Sequence, residues 1–238
     1  LKQVVLTEDS KARMGTALAR GARHLSVFEC KRFRVDASTS ELRLSEAGWG
    51  DMHLLAGVVR LCPSLTRLSV QHGQLEKRGG EALAEVVRHC AALEDLRVER
   101  SELEATGTRA VFLAAKECPL LRVLELSSED MCYNALHHTV ELAPVYALCG
   151  ALRVGKAWTT LAIPECTQHV SSRKERNEIV DLLSDALRES SCTDLNFAQN
   201  AFGPAAIGVI VGTEVTRLNV RDTGLCADDC GTLARSKR

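Results

Sequence analysis

The chain has 238 residues, 45% of them apolar and 26% charged, a balance that supplies a continuous core and excludes an intrinsically disordered chain. Thirty Lys and Arg against 31 Asp and Glu leave a net charge of −1, which gives no general attraction to phosphate backbones or anionic membranes and disfavours nucleic acid as the main partner. No stretch approaches the roughly 20 uninterrupted apolar residues of a membrane helix, and the ten cysteines are spread along the chain instead of forming a disulfide framework.

In chain order, LKQVVL (Leu1, Val4, Leu6) reads as a repeat-like strand and HLSVFEC (Leu25, Val27, Cys30) as a weaker copy. TSELRLSEAGW adds Leu42 and Leu44, with Trp49 seven residues after Leu42. Three segments then align with a step of 28: CPSLTRLSV, CAALEDLRV and CPLLRVLEL. Their columns are Cys62, Cys90, Cys118; Leu65, Leu93, Leu121; Leu68, Leu96, Leu124; and Val70, Val98, Leu126. Leu75, Leu103 and Met131 continue the phase, as do Leu83 and Val111. Later copies are WTTLAIPEC (Trp158, Leu161, Ile163), CTDLNFAQNAF (Leu195, Phe197, Phe202) and VTRLNVRDTGL (Leu218, Val220, Leu225).

Each copy predicts a short strand and then a helix. In EDLRV, Leu96 and Val98 share one face while Asp95, Arg97 and Glu99 take the other. In GGEALAEVVRHC, Ala82, Leu83, Val86 and Val87 follow helical spacing, and Pro63 and Pro119 stop the preceding helices. A unit of this kind cannot hide its apolar stripe alone, so neighbours stack into one continuous domain over 1–238. The chain reads as a segment of a longer protein, because no polar cap is evident at Leu1, Val4 and Leu6 or around Leu218, Val220, Leu225 and Leu233.

These columns resemble the leucine-rich-repeat family, whose repeat opens LxxLxL. The cysteine-ended repeats look like the subclass of F-box substrate receptors; NFAQNAFGPAAIGVIV, with Asn200 five after Leu195, looks like the ribonuclease-inhibitor subclass. Gly73, Ser101 and Glu129 stand at the plus-five place where those families favour Cys or Asn. The resemblance implies an α/β solenoid, a horseshoe with a parallel concave sheet and convex helices. It implies a non-enzymatic protein–protein interaction module or structural subunit of a multi-subunit assembly, with a ubiquitin-ligase substrate receptor or a GTPase-activating regulator as the alternative. No cofactor, metal, membrane or small-molecule substrate is expected, and an intracellular reducing compartment, first the cytoplasm, suits the unpaired cysteines.

Residues between the aliphatic columns face the concavity, and the expected partner-binding set is Arg43, Arg67, Gln71, Asp95, Arg97, Glu99, Glu125, Asp194, Asn196, Arg217 and Arg221. Both signs interleave without stacking aromatics, which fits a charged protein surface better than a nucleic acid. The period lengthens twice, to 37 residues from Leu121 to Trp158 and to 34 from Trp158 to Cys192, so the irregular repeats are 121–157 and 158–191. Such insertions map to one face. They offer Tyr133, His137, Tyr146 and Arg173 as further partner contacts, unless a longer helix turns the aromatics inward. GALRVGKA spells GxxxxGK, but Ala157 replaces the required hydroxyl. Cys132 with His137 and His138, or Cys226 with Cys230, lacks a complete set of zinc ligands. RKER at 173–176 reads as a solvated helix start.

Overall fold

A computed structural model describes residues 6–21, 24–129, 131–155, 157–203 and 213–225. In chain order the elements are α1 (Glu8–Gly21), β1 (Val27–Glu29), β2 (Arg34–Asp36), β3 (Glu41–Ser45), α2 (Trp49–Val58), β4 (Arg67–Gln71), α3 (Glu76–His89), β5 (Asp95–Glu99), α4 (Glu104–Ala115) and β6 (Val123–Ser127). There follow β7 (Tyr133–Asn134), β8 (Thr139–Val140), α5 (Ala143–Val154), β9 (Thr160–Ala162), α6 (Arg173–Arg188), β10 (Asp194–Asn196) and β11 (Arg217–Asn219). The protein is α/β. Among the described residues, β3, β4, β5, β6, β9, β10 and β11 form one seven-stranded parallel sheet in chain order, and successive helices α1 to α6 pack one on the next.

The leucine columns set the register. Leu42, Leu68, Leu96, Leu124, Leu161, Leu195 and Leu218 are paired across the sheet, and the first six are at most 6% exposed. Each leucine so buried contributes about 1.5–3 kcal/mol. Ala82, Leu83, Val86 and Val87 of α3 press on the same core. Cys62, Cys90 and Cys118 close their repeats as buried free thiols, and desolvation raises their pKa values to about 11, 12 and 11.

Two rows follow every strand. Four residues after each column leucine the backbone turns left-handed, at Glu46, His72, Arg100, Ser128, Glu165, Gln199 and Asp222, with φ between 48° and 60°. Through the first six, the N–H donates to a carbonyl of the next unit, as from His72 to Glu99 at 2.9 Å. One residue further stand Ala47, Gly73, Ser101, Glu129, Cys166, Asn200 and Thr223, all buried. The Glu129 carboxylate accepts the Ser101 and Leu103 N–H groups, the second at 3.0 Å. Asn200 accepts from the N–H of Cys166 (2.9 Å) and of Thr167 (3.0 Å) and donates to the Ile163 carbonyl (2.7 Å).

The front of the sheet departs from the sequence expectation. HLSVFEC is not a further parallel repeat strand: β1 pairs antiparallel with β2, Val27 points outward, and Phe28, Phe33 and Val35 are buried. The burial phase is set by Phe28, because its ring brings more apolar area to the core than Val27 would. Helix α1, not anticipated, lies on α2, so the front is not bare; Leu1 and Val4, Leu233, and Cys226 with Cys230 lie outside the described residues. Contact with α2 is polar and close. Glu8 accepts the Gly50 N–H at 2.6 Å, Lys11 meets buried Asp51 at 2.9 Å, and Arg60 donates to the Leu18 carbonyl at 2.9 Å. Burial opposes the charge on Lys11, yet hydrogen bonds to Glu8 and Asp51 outweigh it and raise its pKa. A Cβ on Gly57 would stand 2.2 Å from the Gly15 carbonyl oxygen, so glycine is required for this approach.

Candidate functional site: the open face of the sheet

Outward-facing strand residues form one charged surface, because alternation sends the leucines to the core and their neighbours to solvent. The structure brings the anticipated residues together on it: Arg43 on β3, Arg67 and Gln71 on β4, Asp95, Arg97 and Glu99 on β5, Glu125 on β6, Asp194 and Asn196 on β10, and Arg217 on β11 with Arg221 just beyond. Over β3 to β5 lies an open depression of about 360 Å³, lined by Glu41, Arg43, Arg67, Ser69, Gln71, Asp95 and Arg97. Between the charged ends, β9 offers Thr160, Ala162 and, past its end, Pro164; Ala162 and Ala198 are buried.

Charges on this face are paired across and along the strands. Arg97 grips Asp95 with two hydrogen bonds, at 2.9 and 3.1 Å, and reaches Glu125 at 3.3 Å. Its hydrogen bond to Asp95 raises its pKa, against partial desolvation. Arg43 donates to Glu41 at 2.7 Å, and that bond, then the Arg43 charge, holds the Glu41 carboxyl below the usual carboxylate range. Gln71 donates to Glu99 at 3.3 Å and Ser127 to Glu125 at 2.8 Å. Arg67 lies 3.8 Å from Glu41 and Arg217 3.6 Å from Asp194, beyond hydrogen-bonding reach.

In the first insertion β7 and β8 form a short antiparallel hairpin whose tip exposes His137 and Leu136, the latter 80% exposed. Tyr133 stacks on His169 of the second insertion, ring centroids 4.4 Å apart, and its hydroxyl bonds His138 Nδ1 at 2.7 Å. Tyr146 stands outward on α5 and donates to Glu178 of α6 at 2.8 Å, whereas Trp158 turns into the core. Arg173 opens α6, capped by the Ser172 hydroxyl, and is exposed. Nothing in the sequence signalled Leu136 or His169: the first is exposed by a short local hairpin of two-residue strands, too brief for alternation to reveal, and the second is fixed by a stack on Tyr133 from a distant segment.

Gly150 lies inside α5, which removes the loop a phosphate cradle would need. Among the described residues, no group of three or more His, Cys, Asp or Glu is placed to hold a metal ion, and no helix is long and apolar enough to cross a membrane. No protein-family model and no curated protein matches this chain.

Proposed function

We propose that the protein is a leucine-rich-repeat solenoid that binds other proteins on the open face of its sheet, as a non-enzymatic interaction module or a subunit of a larger assembly. The observation that carries this reading is the in-register sheet, which turns one residue column inward and displays charged side chains on a continuous face. The left-handed turn after every strand and the buried position behind it support a repeat unit copied seven times among the described residues. Sites of this kind are grafted on a scaffold, so the charged face carries the specificity and the leucines carry the shape.

The test is quantitative affinity purification with three forms of the protein: unaltered, charge-reversed on the sheet (Arg43→Glu, Asp95→Lys, Glu125→Lys, Arg221→Glu), and charge-reversed on α4 (Arg109→Glu). Partners should disappear with the sheet variant and persist with the helix variant, both folded by circular dichroism. Retention of every partner by the folded sheet variant refutes the assignment.

A further inference from the structure

We propose that the open face receives an acidic stretch of another protein, anchored at its two ends by Arg67 and Arg217 over an uncharged centre. This rests on the interaction reading above and adds the partner's chemistry to it.

Height above the sheet comes first. In the pairs between open-face strand residues the guanidinium stands higher than its carboxylate: Arg43 is 79% exposed against 39% for Glu41, Arg97 51% against 19% for Asp95, and Arg217 82% against 35% for Asp194. Arginine is the longer side chain, so from a common sheet it reaches past a carboxylate rooted beside it. A face with mixed charges in its sequence therefore presents its cations outermost.

Availability comes second. Arg97 is committed to Asp95 and Glu125, and Arg43 to Glu41. The guanidinium groups of Arg67 and Arg217, 65% and 82% exposed, donate no hydrogen bond among the described residues and stand 3.8 and 3.6 Å from the nearest carboxylates, Glu41 and Asp194. Each keeps its forked donor set for an incoming carboxylate, the group whose planar geometry it matches.

Spacing comes third. Arg67 and Arg217 occupy the same register column, on β4 and β11, five strand steps apart. At about 4.8 Å per step the anchors lie about 24 Å apart along the sheet, the span of about seven extended residues. Between them the column holds Asp95, Val123, Thr160 and Asp194: the two aspartates sit lower than the arginines, 19% and 35% exposed, and the centre at Val123 and Thr160 is uncharged, with Ala162 buried beside it. The matching segment is acidic, then short and uncharged, then acidic.

Fluorescence anisotropy of the labelled peptide EEEAVTAEEE on the full chain at low salt tests this, beside KKKAVTAKKK and a ten-nucleotide oligouridylate. The acidic peptide should bind, weaken as salt rises, and lose about tenfold in affinity with Arg67→Gln or Arg217→Gln, while Arg109→Gln on α4 leaves it unchanged. Binding of the basic peptide as tightly, tighter binding of the oligouridylate, no binding, or no response to either arginine substitution overturns the proposal. If natural partners are lost with Asp95→Lys but kept with Arg67→Gln, the open face remains the docking surface and its acidic partner is refuted.

Discussion

Removing the Asn200 side chain should cost far more than its size suggests. It fills the space between β10 and the segment after β9, accepting from the N–H of Cys166 and of Thr167 and from the Thr167 hydroxyl, and donating to the carbonyls of Ile163 and Phe197. Asn200→Ala takes these partners from two buried amides, the Thr167 hydroxyl and two carbonyls, of which Phe197 keeps the Asn200 N–H. Each such group costs about 1–3 kcal/mol, so with partial relaxation the loss should reach about 3–5 kcal/mol. At about 2–4 °C per kcal/mol for a chain of this length, the melting midpoint should fall by about 6–20 °C. Asn200→Asp should do no better, because it keeps the acceptor but turns a second oxygen toward the Ile163 and Phe197 carbonyls. Urea unfolding followed by circular dichroism measures the loss, and amide exchange at Cys166 and Thr167 shows whether it begins there. A loss below about 1 kcal/mol with unchanged protection of those amides would refute the bridging role.

Leu96→Ala should destabilise by about 2–5 kcal/mol, and Arg97→Ala by only about 0.5–1 kcal/mol, since its ion pairs are half exposed; equal shifts in the urea midpoint would place the strand in the wrong phase. Gly57→Ala should dislodge α1 from α2, seen as faster amide exchange across Glu8–Gly21 with the sheet still protected; unchanged exchange would show that the helices separate without penalty. Cys62, Cys90 and Cys118 should resist a thiol reagent at pH 8 in the native protein and react at once in denaturant. Because folding raises their pKa values from 9.0 to about 11, 12 and 11, the folded state favours the protonated thiols: their contribution is complete below pH 9 and is lost as the pH climbs toward 11–12. Stability that rises across that interval contradicts the burial assigned to them.

The strands of the sheet were legible because their leucines recur in phase, and alternation alone then assigns the outward residues. Helix α1 was not, since its one buried residue is Gly15 and it is held by charges and close backbone contact, leaving no apolar stripe to read. Spacing placed Gly73, Ser101, Glu129 and Asn200 at the plus-five station, but not what the station does. Ala47, Gly73, Ser101, Glu129, Cys166, Asn200 and Thr223 share no chemistry, so their common burial, and the backbone groups that Glu129 and Asn200 bind, show only in the structure. Alternation alone put the open-face residues on one side of the strands, but sequence could not tell Arg97, tied to two carboxylates, from Arg67, whose guanidinium is tied to none by a hydrogen bond.

The left-handed turn after each strand gives the chain an unusual freedom. Glu46, His72, Arg100, Ser128, Glu165, Gln199 and Asp222 differ in charge and size, yet none is β-branched and all adopt nearly the same φ. The cost of that conformation, about 1–2 kcal/mol for a non-glycine residue, is borne by the backbone whatever the side chain does. The unit therefore ends in the same bend regardless of its sequence, and its junctions are interchangeable. Excising one 28-residue period, from Asp95 to Arg122, would carry β6 to the place of β5 and set the Glu129 carboxylate before the N–H groups of Gly73 and Leu75, equivalents of those it bonds now. A chain joined this way can change length by whole units while its surface chemistry drifts independently.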